Sequence, residues 1–177
     1  MIEETDIKDK IVTGAEELFR RYGVRSISMD DIARHLSVSK KTLYQHFADK
    51  DDLVASVTRQ LLEKNYKQCE DIRQGSDNPV EELARVSLWM KKSMEEVNPT
   101  MLFDLQKFHL KAWNLWVDFK NKFIRDQVVQ NLDAGIEQGY IRPVNKEIMS
   151  ILRVEFVQMA FNQDIFPREK FNIVEVQ

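Results

Sequence analysis

Apolar residues recur every three or four positions through almost the whole chain, and the breaks between these runs predict an all-α fold. Ile7, Ile11, Leu18, Phe19 and Tyr22 mark a first helix over about residues 5–22, with Glu3, Glu4 and Asp6 crowding its start and Gly23 ending it. Three helix starts then fall within about twenty residues. Ser28 is a candidate N-cap answered by Asp31, with Ile27 and Ile32 at the hydrophobic staple positions. Ser39 repeats the arrangement with Val38 and Leu43, and Asp49 does so with Asp52. Such spacing leaves room only for a compact helix-turn-helix, with the first helix packed behind it and Ala33 small enough for a close crossing.

A long helix over 50–74 would span about 37 Å and act as a strut, and GSDNP at 75–79 is the clearest linker. Helices are expected beyond it at about 79–97, 99–109, 112–138 and 145–162, with Pro167 opening a last segment. The predicted division is a three-helix helix-turn-helix domain at 1–49 and a helical bundle at 50–177, with helix 50–74 connecting them.

The helix from Lys40 to Phe47 carries the candidate chemistry. Leu43 and Phe47 lie one turn apart and would face inward, so Lys41 and Gln45 point outward between Thr42 and Tyr44. A cation, an amide able to bind a base edge bidentately, a hydroxyl and a phenol are the groups that contact phosphates and major-groove bases. Lys40 and Lys41 also stand at a helix N-terminus, where the dipole repels them unless a phosphate is present. His46 borders the same face, while His35 reads as a surface residue.

Charge sharpens this picture. The net charge of −3 gives no global sign of nucleic-acid binding. Between residues 20 and 50, however, seven bases (Arg20, Arg21, Arg25, Arg34, Lys40, Lys41, Lys50) face three acids (Asp30, Asp31, Asp49). With 31% charged and 43% hydrophobic residues the remaining composition is that of an ordinary soluble protein. One cysteine, Cys69, excludes an internal disulfide, and the acidic start lacks the apolar core of a signal peptide. Arg153 and Glu155 interrupt the apolar run 148–161, so no membrane span is expected and a cytoplasmic location suits the chain. No Gly-rich phosphate loop, Ser/His/Asp order, HExxH or Cys/His metal spacing occurs, so neither an enzyme, a metal site nor a cofactor is expected.

The second half is dense in aromatic and Met residues: Trp89, Met90, Met94, Met101, Phe103, Phe108, Trp113, Trp116, Phe119 and Phe123. By default these are core packing, with Met as gap-filler. His109 among Phe108, Trp113 and Trp116 could serve as a polar anchor in a cavity or as a satisfied buried histidine. The helix with Ile148, Met149, Ile151, Leu152, Phe156, Val157, Met159, Ala160 and Phe161 is apolar on more than one face. One face packs on its own core, and a second copy of the chain is the expected cover for another.

Residues 7 to about 53 resemble the DNA-binding domain of the TetR family of bacterial transcriptional regulators. The likeness is carried by Ala15, Phe19 and Gly23, then Ser28, Asp31-Ile32-Ala33, Val38-Ser39-Lys40, Thr42-Leu43-Tyr44, Phe47 and Lys50. Beyond them it is architectural, with GIEQGYIRP at 135–143 similar to the link before the family's dimerising helices. The resemblance implies a homodimer that binds a palindromic operator, usually as a repressor, and releases it when a small ligand enters the C-terminal domain. By position it assigns DNA contacts to Thr42 and Tyr44, and phosphate contacts to Ser28, Lys40 and Lys50; the cap Ser39, the base readers Lys41 and Gln45, and His46 complete the expected interface. An apolar or aromatic effector is expected near Met90, Phe103, Phe108, His109, Trp113 and Trp116. The competing reading keeps the DNA-binding head and gives the C-terminal domain a protein partner in place of a small molecule. Two departures stand out. Ser37 occupies a turn position where glycine is usual, and 167–177 is shorter than the family's last dimer helix, implying a truncated chain or a small interface.

Overall fold

The computed structural model describes residues 4–95, 100–160, 162, 164–167 and 169–170. The fold is all-α. Helices α1 (Glu4–Tyr22), α2 (Met29–His35), α3 (Lys40–His46) and α4 (Lys50–Gln74) fall where the periodicity predicts them. Then come α5 (Pro79–Glu95), α6 (Met101–Phe108), α7 (Leu110–Phe119), α8 (Arg125–Glu137) and α9 (Lys146–Ala160). The expected start at Pro99, the contribution of Phe161 and the segment 171–177 lie outside the described residues.

The predicted caps form. Ser28 and Asp31 make a full capping box, the hydroxyl accepting from Asp31 N while the Asp31 carboxylate accepts from Ser28 N at 3.0 Å. Ser39 Oγ accepts from Thr42 N at 2.9 Å, and Asp49 Oδ1 accepts from Asp52 N at 2.8 Å. Between α2 and α3 the chain turns through a Schellman motif: Val38 N donates to Ala33 O and Ser37 N to Arg34 O. That motif requires a left-handed residue after the cap, and Ser37 fills it at φ 54. A Cβ there costs about 1–2 kcal/mol. Glycine would remove this strain but lose more chain entropy on folding, and the Ser37 side chain is exposed. Ser37→Gly is therefore expected to stabilise the protein by up to about 1 kcal/mol, read as a higher denaturant midpoint; a lower midpoint would show the turn to be unstrained.

Two compact units divide the chain, and the division does not fall at residue 50. The first comprises residues 1–63 and 96–116, the second 64–95 and 117–177. The physical reason lies in the first unit's core. Met101, Leu105 and Ala112 are buried in the same cluster as Ile11, Ala15, Phe19, Ile32, Leu43, Phe47, Leu53 and Val57. Thus α6 and the start of α7 are built into the helix-turn-helix body. Ala33 is buried in the core cluster, and Gly14 on α1 lies against Leu36, the C-cap residue of α2, whose Cδ2 an added Cβ would meet at 2.4 Å.

In the second unit, α8 and α9 pack together with α5 on α8. Asn131 Nδ2 bridges Pro79 O and Glu82 Oε2, both at 2.9 Å, and Tyr66, Phe123 and Phe119 stack in series with centroids 4.7 Å apart. The expected single helix over 112–138 is interrupted: residues Lys120–Ile124 form a π-helical turn between α7 and α8. Val154, Val157 and Ser150 form the buried spine of α9.

Candidate nucleic-acid interface

Leu43 and Phe47 are fully buried, which fixes the rotation of α3 and turns its other face outward. On that face Lys41, Tyr44 and Gln45 are exposed, with Thr42 and His46 half-buried at its margins. Tyr44 keeps 46% of its surface, a high value for a phenol that could otherwise pack. The cap hydroxyls Ser39 Oγ and Thr42 Oγ1 lie 2.7 Å apart and hold the N-terminus of α3 closed.

Other expected contacts carry intramolecular partners. The Lys40 ammonium reaches both oxygens of Asp30, at 2.7 and 3.0 Å, and this acid raises the Lys40 pKa by hydrogen bonding and charge. Ser28 Oγ lies 2.6 Å from Asp31 Oδ2, and these Ser28 hydrogen bonds lower the Asp31 pKa. Lys50 donates to Val24 O at 2.7 Å, and burial pulls its pKa down against the attraction of Asp104, Asp51 and Asp31. An ammonium has three donors, so one bond to a carbonyl leaves two for a phosphate.

Three longer-range tethers, invisible in local sequence patterns, tie α6 and α7 to the head. Asp104, buried, accepts from Arg25 N at 3.2 Å; His109 Nδ1 lies 2.5 Å from Asp51 Oδ1; Lys111 Nζ donates to Asp52 Oδ1 at 3.1 Å. The Lys111 bond leads the causes that lower the Asp52 pKa.

The six residues expected around an effector fall in both units. Phe103 and Phe108 are exposed, with the Lys107 ammonium 5.4 and 5.5 Å from their ring centroids and the Arg25 guanidinium 5.0 Å from that of Phe108. His109 is buried against Asp51, Trp113 packs half-buried on the core cluster, and Trp116 is half-buried. Met90 belongs to the other unit, where its sulfur accepts from Arg153 Nη2 at 3.9 Å. An open depression in that unit is polar, lined by Asp118, Asn121, Lys122, Arg125 and Asp126. Burial pushes the Cys69 thiol up to about 11, an inert protonated side chain at neutral pH. Among the described residues no helix is long and apolar enough to cross a membrane.

A short capped helix held by a three-helix core, with a polar face outward, defines a helix-turn-helix protein of the DNA-binding class. Residues 11–57 match the family model described as bacterial regulatory proteins, tetR family. That stretch is a DNA-binding domain of the TetR family of bacterial transcriptional regulators, and the chain as a whole is similar to regulators of this kind. It is 27% identical over 155 residues to the HTH-type transcriptional regulator YvaF of Bacillus subtilis, covering 85% of this chain and 80% of that one. It is 27% identical over 132 residues to the HTH-type transcriptional repressor KstR2 of Mycobacterium tuberculosis, covering 73% of this chain and 66% of the relative. In fold it is similar to a transcriptional regulator from Saccharomonospora viridis solved in complex with choline, with a TM-score of 0.78 at 16% identity over 97% of this chain and 92% of that one.

Proposed function

We propose that the protein is a homodimeric, cytoplasmic repressor whose two copies of α3 read a palindromic operator, and that a small molecule bound in the C-terminal helices releases it. The observation that carries the DNA-reading part is the outward face of α3, where Lys41, Tyr44 and Gln45 stand exposed on a helix whose opposite side is locked by Leu43 and Phe47. Lys41 and Gln45 reach base edges; Tyr44, Thr42 and Lys40 take phosphates, and Ser28, Ser39 and Lys50 hold the backbone at their helix ends. His46 lies at the margin of the same face. Dimerisation is supported by the apolar face of α9, on which Ile148, Ile151, Leu152 and Phe156 are exposed.

Release is a population shift. Half-sites repeat about every 34 Å along the duplex, so a displacement of the α4 segment by a few ångströms spoils simultaneous docking. The ligand achieves this only by preferring the non-binding arrangement. A repressor among the relatives and a choline complex among the similar folds support both halves of the reading.

Selection of bound sequences from random DNA tests it. The expected product is a palindrome occupied by two copies, with affinity falling steeply as salt rises. Enrichment of no sequence, or a single asymmetric site bound by one copy, would overturn the proposal.

A further inference from the structure

The second unit carries buried positive charge that its described carboxylates do not answer. Lys120, the first residue of the π-helical turn, is 4% exposed. Its ammonium donates to Gln158 Oε1 on α9, a neutral amide, and among the described residues no acid pairs with it. Arg153, half-buried on the same helix, directs Nη2 at the Met90 sulfur, a weak acceptor. Burial lowers the Arg153 pKa with no acid opposing it. Buried cations are ordinarily paired, because a neutral amide returns less than desolvation costs.

The local geometry adds an entrance. Gln158 is exposed, so its swing would open the Lys120 ammonium to the outside. π-helical turns that interrupt α-helices are frequent at functional sites. We propose that Lys120 and Gln158 form an oxyanion site, taking the carboxylate or phosphate monoester group of the effector, with Arg153 as a second cation. The proposal rests on the reading that a small molecule bound in the C-terminal helices releases the operator. Arg153 and Gln158 are five positions apart on α9, about 140° around it, so they flank the buried spine Ser150, Val154 and Val157 from opposite sides. Lys120 is therefore the principal cation and Arg153 contributes less.

The test measures melting of the full chain with octanoate, octyl phosphate, octanol and octyltrimethylammonium, alongside operator affinity and sedimentation. Octanoate or octyl phosphate is expected to raise Tm by several degrees, and octanol and the ammonium to do nothing. Lys120→Met should weaken oxyanion binding at least tenfold and melt no lower than the wild type, and Arg153→Met should weaken it about threefold. Gln158→Glu, at an exposed position, supplies the missing carboxylate; it should raise Tm and abolish the oxyanion response. Equal stabilisation by all four probes, stabilisation by none, an undiminished response in Gln158→Glu, or a Lys120→Met change confined to dimerisation would each overturn the site. Lys120-dependent oxyanion binding without any change in operator affinity leaves the site standing and removes ligand release. Release by a ligand indifferent to Lys120 does the reverse.

Discussion

Gln45→Ala is expected to lower affinity for the selected operator by roughly ten- to a hundredfold while leaving affinity for unrelated DNA within about twofold. The argument starts from rotation. Leu43 and Phe47 are fully buried, so α3 cannot turn about its axis without emptying the core, and Gln45 is held on the outward side. A side-chain amide pairing bidentately with adenine is worth about 1–3 kcal/mol of discrimination. Gln45 is exposed, so its truncation leaves folding stability within about 0.5 kcal/mol. Tyr44→Phe provides the contrast. A lost phosphate contact weakens all sequences alike, and the salt slope changes little because no charge is removed. Fluorescence anisotropy with operator and scrambled duplexes at several salt concentrations separates the two. A uniform loss for Gln45→Ala would move it from base reader to backbone contact.

The head was legible because its signals are local. Ser28 with Asp31, Ser39 with Thr42 and Asp49 with Asp52 are all three residues apart, and each cap forms. The strained turn residue could be read from the same stretch: Ser37 stands where the chain must be left-handed, and it is. What periodicity could not show is pairing across long separations. Asp30 with Lys40, Lys50 with Val24 O and His109 with Asp51 are ten, 26 and 58 residues apart; the first two give intramolecular partners to lysines read as phosphate contacts, and the third makes His109 the satisfied buried histidine that was one of its two readings. The grouping of α6 and the start of α7 with the first compact unit was hidden for the same reason. Helical spacing marks Met101, Leu105 and Ala112 as apolar but does not say whose core receives them. The π-helical turn was equally hidden, since one widened turn leaves no periodic trace. Nothing in the local pattern marks Lys120, in that turn, as buried.

Phe156→Glu is expected to convert the protein to a monomer and to cost operator affinity a hundredfold or more. On α9 the residues Ile148, Leu152 and Phe156 follow one another at intervals of four, with Ile151 and Met149 beside them. All five are exposed, Phe156 by 56%, while Ser150, Val154 and Val157 are buried on the opposite side. A continuous apolar stripe of this kind on a helix already packed by its other face marks an interface. Dimer symmetry makes such a patch self-complementary, so one substitution places two carboxylates in the shared surface. Burying an unpaired charge costs several kcal/mol, enough to dissociate a modest interface. Operator binding then loses its second half-site, and with it an effective concentration in the millimolar range. The exposed position of Phe156 means the fold itself should survive, which circular dichroism and an unchanged melting midpoint at low concentration can check. Sedimentation velocity reads the monomer, and anisotropy with a full palindrome and a single half-site reads the loss. The half-site should be bound equally by variant and parent. A variant that remains dimeric would move the interface off α9, and a monomer that holds the palindrome as tightly as the parent would end the two-headed reading of the operator.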